Sequence, residues 1–488
     1  MMLPLLLDST GPEPLHRQVY DQLRAAILTG RLAAGDRLPS SRALAQSLGV
    51  SRSTTVLAFD QLLAEGYLVT RTGAGTYVPT ELPELKLEAS PTGPAALPPT
   101  TTYPLSDYGQ RLAQTGALHV RTEAAPITFT HYGEPALDQF PLEVWRTLTQ
   151  RRLRDHDVPL GYERDARGYL PLRAAISEYV TRARAVSCHP DQIVIVGGSQ
   201  QALDLAARLF VNAGDRVVFE EPGYLGARRV FESYGADLVP VPVDEAGLQV
   251  DRLPDAGARL VHVTPSHQFP TGSVLSLPRR LALLDWAERV GALIVEDDYD
   301  SEYRYIERPI PALQGLGHHG RVLYIGTFSK VLFPGLRLGY LIVPEALVDL
   351  VSRAKWLTDR QAPLLEQAVL ADFIREGHMG RHVRRMRTLY AARRACLTQA
   401  LARVFGDRVR LLGDQSGMHL FISLESGLSD DKVLARAKAE GVGLASAAPY
   451  YAGAAPGGEF VLGYAHLTEA AIEEGIKRLA RAVGGLHG

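Results

Sequence analysis

The amino-acid sequence predicts a large α/β domain with a mainly parallel sheet, preceded by a small helical domain. Three observations lead to this prediction. Apolar strands alternate with helical stretches through most of the chain, two short helices flank a glycine turn near its start, and a proline-rich stretch lies between the two regions. At roughly 100–200 residues per domain, the length of 488 residues accommodates about two to four domains.

The composition is that of a globular protein without a strongly charged surface. Hydrophobic residues make up 46% and charged residues 22% of the chain, and 52 basic side chains balance 54 acidic ones to a formal net charge of −2. This balance argues against a basic coat for nucleic acid and against a polybasic membrane protein. It is compatible with a small local DNA-binding face.

Cysteine content and hydropathy favour a soluble cytoplasmic protein. Cys188 and Cys396 are far apart and lack a metal-type cluster nearby, so we expect no disulfide framework and no metal site. The apolar opening Met1–Asp8 lacks a basic lead and contains a proline, which makes it a poor signal peptide. The sequence has no apolar run near the ~18–20 residues of a membrane span.

Three helices and a hairpin are predicted in the N-terminal region. Helical spacing of apolar residues marks the first helix, through Leu15, Val19, Leu23, Ala26 and Ile27. A serine cap and a glycine stop bound the second helix, between Pro39 and Gly49, and the third runs from Arg52 to about Glu65. Apolar stretches around a Gly-x-Gly turn form a hairpin over 66–78. The second and third helices are short and are joined by a turn that contains Gly49, which is typical of a helix-turn-helix.

The start of the third helix has the chemistry of a DNA contact. Helix N-terminal amides and hydroxyl groups donate to phosphates, and Arg52 can reach a base edge or a phosphate. The candidate DNA-binding residues are Arg42, Ser51, Arg52, Ser53, Thr54 and Thr55, with Gly73 and Gly75 in the hairpin turn. A winged-helix fold used for protein contact is the alternative. Because residues 1–80 hold seven arginines and no lysine against six acidic residues, we expect a dimer that reads paired half-sites.

These motifs resemble a known family of DNA-binding domains. The stretch Leu15–Val78, with Gly35-Asp36-Arg37-Leu38-Pro39-Ser40-Ser41-Arg42 and then Ser51-Arg52, is similar to the GntR-family winged helix. The resemblance implies that Arg42, Arg52 and the polar residues after Arg52 contact the operator, while the wing enters the minor groove. A further arginine that some members carry one turn later is replaced here by Val56, so their site preference does not transfer.

A proline-rich stretch follows the hairpin. Seven prolines lie between residues 79 and 104, among Thr, Ser, Glu and Ala. Proline removes backbone donors and favours an extended chain, so this stretch predicts a semi-rigid linker. An ordered connection wrapped on a domain surface is the alternative.

Apolar strands in the large region end in polar or glycine-rich turns. These strands lie at 192–196, 216–220, 259–263, 292–295 and 322–325. Their alternation with helical stretches such as Arg279–Val290 predicts an α/β fold with a mainly parallel sheet. Ligands in such folds bind at the carboxyl ends of the strands, where these turns lie.

Two of the segments are suited to a phosphate group. Gly197-Gly198-Ser199 opens a helix and can hold an anion with backbone N–H groups, although a plain strand-to-helix turn explains the same residues equally well. Arg337 follows Lys330 by seven residues, in a glycine-containing segment, and could give the same phosphate a bidentate contact.

Lys330 has the most specific position of the six lysines in the chain. It follows an apolar strand, where burial would lower its pKa and favour imine formation; a surface lysine in a loop is the alternative. At a neighbouring strand end, Asp297 is the kind of anion that keeps a pyridine nitrogen protonated, and Tyr299 could donate to a phenolate oxygen. A phosphate cup, an imine-forming lysine, an anion and a tyrosine together predict a pyridoxal 5′-phosphate (PLP) site.

This ordered set is similar to the fold-type I aminotransferases, and more closely to the MocR/GabR subfamily of the GntR family. The resemblance covers about residues 11–78 and 125–485. It implies three regions, namely a winged helix-turn-helix over 1–79, a proline-rich linker over 80–120, and a fold-type I PLP-dependent aminotransferase-like domain over 121–488.

Site roles follow from the same resemblance. Lys330 would form the Schiff base with PLP, Asp297 would pair with the pyridinium, and Tyr299 would contact O3′. The other implied cofactor contacts are the ring-stacking Tyr224 and the phosphate-binding Gly198, Ser199, Gln200, Thr327, Ser329 and Arg337. Pro265–Gly272 corresponds to the aminotransferase Asn-Pro-Thr-Gly turn, in which either His267 or Gln268 must substitute for the asparagine.

One departure from the family concerns the substrate carboxylate. Aminotransferases hold it with an arginine in a strand near the C-terminus, and the matching strand here has Phe460 and Val461 instead. A missing guanidinium removes a contact of roughly 1.5–3 kcal/mol. Either another arginine such as Arg228 takes over, or the effector is not an ordinary α-amino acid and PLP itself is the signal.

The sequence therefore predicts a PLP-responsive transcriptional regulator that is not primarily an enzyme. We expect it to bind operator DNA, to form a head-to-tail homodimer, and to sense PLP or an amino compound, in the control of vitamin B6 or amino-acid metabolism. The main alternative is a working aminotransferase with an accessory N-terminal domain. A DNA-binding repressor with a vestigial cofactor site is a third hypothesis, which the intact Lys330, Asp297, Tyr299 and Arg337 disfavour.

Overall fold

The structure, a computed structural model, describes residues 5–9, 11–71, 74–82, 103–116, 125–154, 161–162, 165–305, 310–317, 320–413 and 415–484. The chain divides into two units, Met1–Pro104 and Leu105–Gly488. Residues 83–102 and 117–120 of the expected linker lie outside the described residues, and a helix occupies Asp107–Gln114 within the described part. The linker over 80–120 stays a prediction.

The first unit is a helix-turn-helix followed by a hairpin. Its elements are α1 (Leu15–Leu28), α2 (Ser41–Leu48), α3 (Arg52–Ala64), β1 (Val69–Arg71) and β2 (Gly75–Tyr77). Ser40 caps α2 by accepting the N–H of Ala43 at 3.2 Å, and Gly49 ends the helix at φ 67°, a conformation that favours glycine. The predicted helix-turn-helix and wing are confirmed.

The second unit contains the remaining elements. Its helices are α4 (Asp107–Gln114), α5 (Leu142–Arg154), α6 (Leu170–Arg184), α7 (Ser199–Phe210), α8 (Leu225–Ser233), α9 (Leu277–Val290), α10 (Leu313–Leu316), α11 (Val348–Asp359), α12 (Leu364–Arg375), α13 (His378–Phe405), α14 (Asp430–Ala439) and α15 (Glu469–Ala482). Its strands are β3 (Ile127–Thr128), β4 (Ile193–Val196), β5 (Arg216–Glu221), β6 (Asp237–Asp244), β7 (Gly247–Leu248), β8 (Ala258–Val263), β9 (Leu293–Asp298), β10 (Val322–Thr327), β11 (Gly339–Ile342), β12 (Val409–Leu412), β13 (His419–Leu424), β14 (Val442–Gly443), β15 (Ala445–Ser446) and β16 (Glu459–Gly463).

The large sheet has the strand order β4-β11-β10-β9-β8-β5-β6-β7. Neighbours from β10 through β6 pair in parallel, whereas β11 is antiparallel to β10 and β4, and β7 is antiparallel to β6. Successive residues of β4 pack into different cores: Ile193 and Ile195 against α6 and α12, Val194 and Val196 against α7 and α8. The sheet is therefore covered on both faces, as parallel sheets require, and the predicted α/β fold is confirmed.

One of the site-forming strands, β9, extends further than the sequence indicates. The predicted strand ends at Val295, yet β9 continues to Asp298 because Asp297 and Asp298 pair with Ile325 and Gly326 of β10. These acidic residues therefore belong to the sheet and are buried at its carboxyl edge, instead of lying in a loop beyond it.

A smaller antiparallel sheet forms the C-terminal part of the second unit. Its strand order is β12-β13-β16-β15, and one of its faces packs in a core with α13 and α15. At the start of this unit, α4 contacts the end of α8, where Arg111 Nε donates to the carbonyl of Ser233 at 3.0 Å. No helix in the described part of the chain is both long enough and apolar enough to cross a membrane.

Candidate functional site

Lys330 lies in the turn after β10, at the carboxyl edge of the large sheet. Its side chain is next to Gly133, so closely that a Cβ on this glycine would lie 2.7 Å from Nζ. Gly133 has φ 107°, which also favours glycine. Burial lowers the pKa of the Lys330 ammonium below its usual value, against the opposing effect of Asp300, Asp297 and Glu134. A lysine with a lowered pKa is the form that reacts as a nucleophilic amine.

Asp297 has a buried carboxylate with an unused oxygen. The residue is 4% exposed, and its Oδ2 lies 3.6 Å from Nε2 of the fully buried His262. No donor among the described residues forms a hydrogen bond to its Oδ1. A buried carboxylate oxygen without a donor is costly, so a cationic N–H group of a ligand would fit this position.

Arg337 lies beside the start of α7, in an arrangement suited to an anion. Gly198 precedes α7 with φ 111°, and a Cβ there would lie 3.3 Å from Nη2 of Arg337. The guanidinium thus lies at the helix N-terminus that begins with Ser199 and Gln200, where unpaired backbone N–H groups and the helix dipole favour a phosphate. Each of these residues was predicted to contact the phosphate, and the structure brings them together.

Thr327 and Ser329 lie between β10 and Lys330. They are 8% and 9% exposed, and the Ser329 N–H donates to Thr327 Oγ1 at 3.2 Å. This hydrogen bond shapes the turn that carries the lysine.

Tyr299 is held by a histidine–aspartate pair. Nδ1 of His267 lies 2.9 Å from Asp300 Oδ1 and 3.0 Å from the hydroxyl of Tyr299. In the tautomer that carries its proton on Nδ1, His267 donates toward both oxygens, and the Tyr299 hydroxyl then keeps its own proton for another acceptor. Burial, together with the carboxylates of Asp300 and Asp297, raises the pKa of Tyr299 well above its usual value. The phenol therefore stays a donor.

The side chain of Gln268 is held by hydrogen bonds to neighbouring groups. Its Nε2 donates to the carbonyls of Pro222 and Phe269 at 2.8 and 2.7 Å, and its Oε1 accepts from Thr271 Oγ1 at 2.6 Å. Of the two residues left open by the sequence, His267 is the one in contact with Tyr299. The residue directly before Pro270-Thr271-Gly272 is Phe269, so a ring occupies the place of the asparagine amide.

The predicted Tyr224 lies beside these residues in an aromatic group whose other members the sequence did not predict. The Phe269 ring centroid is 5.6 Å from Tyr132, 5.7 Å from Tyr224 and 5.1 Å from Tyr450. Burial raises the pKa of Tyr224 to about 12, with a contribution from Asp297. Tyr132 and Tyr450 come from segments without a recognisable motif, and only their proximity in the folded chain identifies them.

The structure shows where Val461, at the position of the expected arginine, and the alternative Arg228 lie. Val461 is in the middle of β16 and is fully buried. Arg228 is 6% exposed, and its Nη2 donates to the carbonyl of Pro449 at 2.8 Å, while its Nε lies 3.7 Å from Glu232. The remaining Nε and Nη1 groups form no hydrogen bond within the described residues.

The candidate DNA-binding residues lie around the turn between α2 and α3. Ser51 caps α3 by accepting the Thr54 N–H at 3.2 Å, and Arg42, Arg52 and Ser53 are exposed beside it. Thr55, in contrast, is fully buried, and its Oγ1 is 2.8 Å from the carbonyl of Ser41, so it ties α3 to α2.

The predicted turn of the wing is partly visible. Gly75 is exposed at the start of β2 with φ 116°, and a Cβ there would lie 3.0 Å from Nε of Arg37. Gly73 lies outside the described residues.

These features define a class of protein, a winged-helix domain joined to an α/β domain that has a buried lysine and a buried carboxylate at the edge of its sheet. The model of the bacterial regulatory proteins of the gntR family matches residues 15–78, and that of aminotransferase class I and II matches residues 132–479. The chain belongs to the MocR-type regulators, in which a gntR-family domain precedes an aminotransferase class I and II domain.

Individual relatives agree with both parts of this assignment. The chain is 42% identical to the probable rhizopine catabolism regulatory protein MocR of Rhizobium meliloti, over 98% of this chain and 95% of that protein. A kynurenine aminotransferase of Pyrococcus horikoshii, solved in complex with PMP, superposes with a TM-score of 0.70 at 30% identity, covering 78% of this chain and 95% of that one. LysN, an α-aminoadipate aminotransferase of Thermus thermophilus complexed with N-(5′-phosphopyridoxyl)-L-leucine, gives 0.67 at 34% identity, covering 74% and 92%.

Proposed function

We propose that this chain is a transcriptional regulator that binds operator DNA through its winged helix and senses PLP, or an amino compound that reacts with PLP, in its second unit. The observation that carries the proposal is the unused Oδ1 of buried Asp297 at the same strand edge as Lys330. A buried anion with a free oxygen, beside an amine with a lowered pKa, is matched to a ligand that has a cationic ring nitrogen and an aldehyde.

Each side chain has a distinct task toward the cofactor. When bound, PLP supplies an aldehyde for amines and a ring that withdraws electrons. Lys330 provides the amine, and Asp297 accepts a hydrogen bond from the pyridine nitrogen. Arg337 and the N-terminus of α7 bind the phosphate, with Gly198, Ser199 and Gln200 at the helix start. Tyr299, oriented by His267, donates to the phenolic oxygen.

The DNA-binding role is supported by the exposed turn before α3. Arg42, Arg52 and Ser53 are solvent-facing, and Ser51 and Thr54 form the helix N-terminus, where a phosphate binds favourably. The first 80 residues carry a small positive charge, so one copy would bind weakly and two copies on paired half-sites would bind tightly.

A homodimer formed through the second unit provides these two copies. Trp356, Leu357 and Tyr162 expose 49%, 69% and 77% of their surfaces in the single chain, and Arg360 lies over the rings of Trp356 and Tyr162. Large exposed apolar side chains are typical of a protein interface. Sedimentation at micromolar concentration should therefore give a dimer, and a monomer would refute this arrangement.

The decisive experiment joins cofactor binding to DNA binding. The visible absorbance of the purified protein with PLP is measured for wild type, Lys330→Ala and Lys432→Ala. The binding of each protein to a DNA fragment with the promoter of its gene is then measured with and without PLP. We expect Lys330→Ala alone to lose both the cofactor band and the PLP effect on DNA binding, because Lys432 is an exposed lysine of α14. A band that persists in Lys330→Ala would overturn the lysine assignment.

The same measurement tests the enzyme alternative, which the aminotransferase class I and II domain favours. Steady turnover of an amino acid with a keto-acid acceptor, combined with PLP-independent DNA binding, would identify the chain as an aminotransferase. A regulator should give at most a slow half-reaction and a PLP-dependent footprint.

A further inference from the structure

The long helix α13 of the second unit has an unusual distribution of charge. Its 28 residues, His378–Phe405, include seven arginines and no aspartate or glutamate. Acidic and basic residues four apart stabilise a helix, whereas like charges at the same spacing destabilise it. Basic residues near the N-terminus of a helix also oppose its dipole. The arginines at the start of α13 therefore weaken this helix instead of stabilising it.

Three of these arginines form one exposed face near the start of the helix. Arg381, Arg384 and Arg385 are three and four residues apart, a spacing that places them on the same side of a helix. All three are exposed, and we refer to them together as the arginine face. The opposite side of the same turns is buried in the core, through Met379, His382, Val383 and Met386.

The arginine face is held in place without being neutralised. Nη2 of Arg381 donates to the carbonyl of Glu376 at 3.0 Å and lies 2.9 Å from Nδ1 of His378. Nη2 of Arg385 donates to the carbonyl of Gln139. Carbonyl groups orient a guanidinium but do not cancel its charge. In the part of the chain that the structure describes, none of the three arginines forms an ion pair with an acidic side chain.

The acidic side chains just before α13 are already paired. Asp372 and Glu376 both accept from Arg151, at 2.8 and 2.5 Å. Arg375, at the end of α12, is exposed and adds a further positive charge. Asp138 is exposed next to the residue that Arg385 contacts and offsets one of these charges. The surface around the start of α13 therefore keeps a net positive charge.

Duplex DNA is the partner whose chemistry matches this face. Its backbone presents a regular array of phosphates, and the guanidinium group of arginine binds a phosphate with two parallel N–H groups. Residues 1–80 hold seven arginines against six acidic residues, so the first unit contributes little electrostatic attraction of its own. An acidic protein would need carboxylates in a matching arrangement, whereas any duplex offers phosphates to an exposed group of arginines.

We infer that the arginine face of α13 binds the phosphates of the DNA that flanks the operator, independently of base sequence. The winged helix would recognise the operator, and Arg381, Arg384 and Arg385 would bind the adjoining duplex. This inference rests on the proposed function, since it assumes that the chain binds operator DNA. It makes the second unit part of the DNA contact, so the affinity should increase with the length of the duplex.

The test compares two duplexes at several salt concentrations. The operator is first delimited by base substitutions that weaken binding. One duplex ends at these base pairs, and the other extends about 30 base pairs, or roughly 100 Å, beyond each side with arbitrary sequence.

Fluorescence anisotropy with the full chain at a fixed PLP concentration measures both affinities. We expect wild type to bind the long duplex at least about tenfold more tightly. The affinity for the long duplex should also fall more steeply with salt, by about 0.9 in the slope of log affinity against log salt concentration for each additional phosphate that is neutralised. Equal affinities for the two duplexes would overturn the inference.

A triple variant identifies the contact. Combining Arg381→Ser, Arg384→Ser and Arg385→Ser should remove the advantage of the long duplex and leave binding to the short duplex unchanged. Lysine at the same three positions keeps the charge and should retain most of the advantage. The control removes the same charge from three exposed arginines on other elements of the second unit, by Arg252→Ser, Arg259→Ser and Arg289→Ser. An equal loss in the control would assign the effect to net charge and reject the arginine face.

The inference and the proposed function fail in different ways. If wild type binds the operator no more tightly than a scrambled duplex, the proposed function is rejected. If it binds the operator specifically, but the triple serine variant keeps the full advantage of the long duplex, only the inference about α13 is rejected. Circular dichroism and the absorbance of bound PLP should be unchanged in the triple variant, since its substitutions lie on the exposed side of the helix.

Discussion

The two units assemble their functional residues in different ways. In the first unit, Arg42, Ser51 and Arg52 lie on consecutive helices joined by one capped turn. In the second, Gly133, Asp297 and Lys330 are far apart in sequence and meet only at the edge of the folded sheet. A site made by a local motif depends on helix caps, and a site made by long-range packing depends on the whole unit. Substitutions in one site should therefore leave the fold and the direct contacts of the other site intact.

The largest effect is expected for Asp297→Ala. This change removes the buried carboxylate that would pair with the ring nitrogen, and a charge-assisted hydrogen bond is worth about 1.5–3 kcal/mol, or roughly 10–100-fold in PLP affinity. Absorbance titration with PLP measures the loss. The exposed Asp285 on α9 provides the control, since Asp285→Ala should not change PLP binding. Unchanged PLP affinity in Asp297→Ala would show that this carboxylate does not contact the cofactor.

Gly133→Ala should follow in size. Its Cβ would lie 2.7 Å from Lys330 Nζ, and its φ of 107° also disfavours alanine. Gly291→Ala is the matched control, because Gly291 has φ 75° and nothing within 4 Å of its Cβ position. Both variants should lose about 1–2 kcal/mol of unfolding free energy from backbone strain, and only Gly133→Ala should also bind PLP about tenfold more weakly. Equal PLP affinities in the two variants would place Lys330 away from Gly133.

This contrast explains which parts of the site could be read from the sequence. Lys330 follows a strand, Asp297 lies at the end of one and Arg337 lies in a glycine-containing turn, so their chemistry coincides with a local pattern. The mainly parallel fold was predictable for the same reason, because the strands identified in the sequence each contain a short apolar run. Tyr132 and Tyr450 have no such pattern, since their role comes from packing between segments that are distant in the chain.

The directions of individual side chains could not be predicted from the sequence either. Gln268 and His267 are neighbours of similar polarity, yet three hydrogen bonds hold the Gln268 carboxamide within its turn, while His267 pairs with Asp300. Thr55 shows the same limit in the first unit: it follows the exposed Ser53 by two residues, but the helical rotation places it inside the core.

The next prediction concerns Arg52 in the first unit. If this arginine reads a base, Arg52→Ala should weaken specific operator binding by about 1–3 kcal/mol and leave PLP absorbance unchanged. Arg31, exposed in the same unit after α1, supplies the control of equal charge. Fluorescence anisotropy with the operator and with a scrambled duplex distinguishes contact with a base from contact with a phosphate. An equal loss on both duplexes would assign Arg52 to a phosphate, and no loss on either would remove it from the interface.

The smallest effect is expected for Ser51, where the test distinguishes capping of the helix from contact with DNA. Ser51 and Ser40 cap α3 and α2 in the same way, each accepting a backbone N–H at 3.2 Å. Replacing either with alanine should cost about 1 kcal/mol of local helix stability, measured by amide hydrogen exchange in the full chain. Only Ser51→Ala should weaken operator binding further, because Ser51 lies at the helix N-terminus proposed to contact phosphate. Equal DNA affinities in the two variants would mean that Ser51 acts as a helix cap alone.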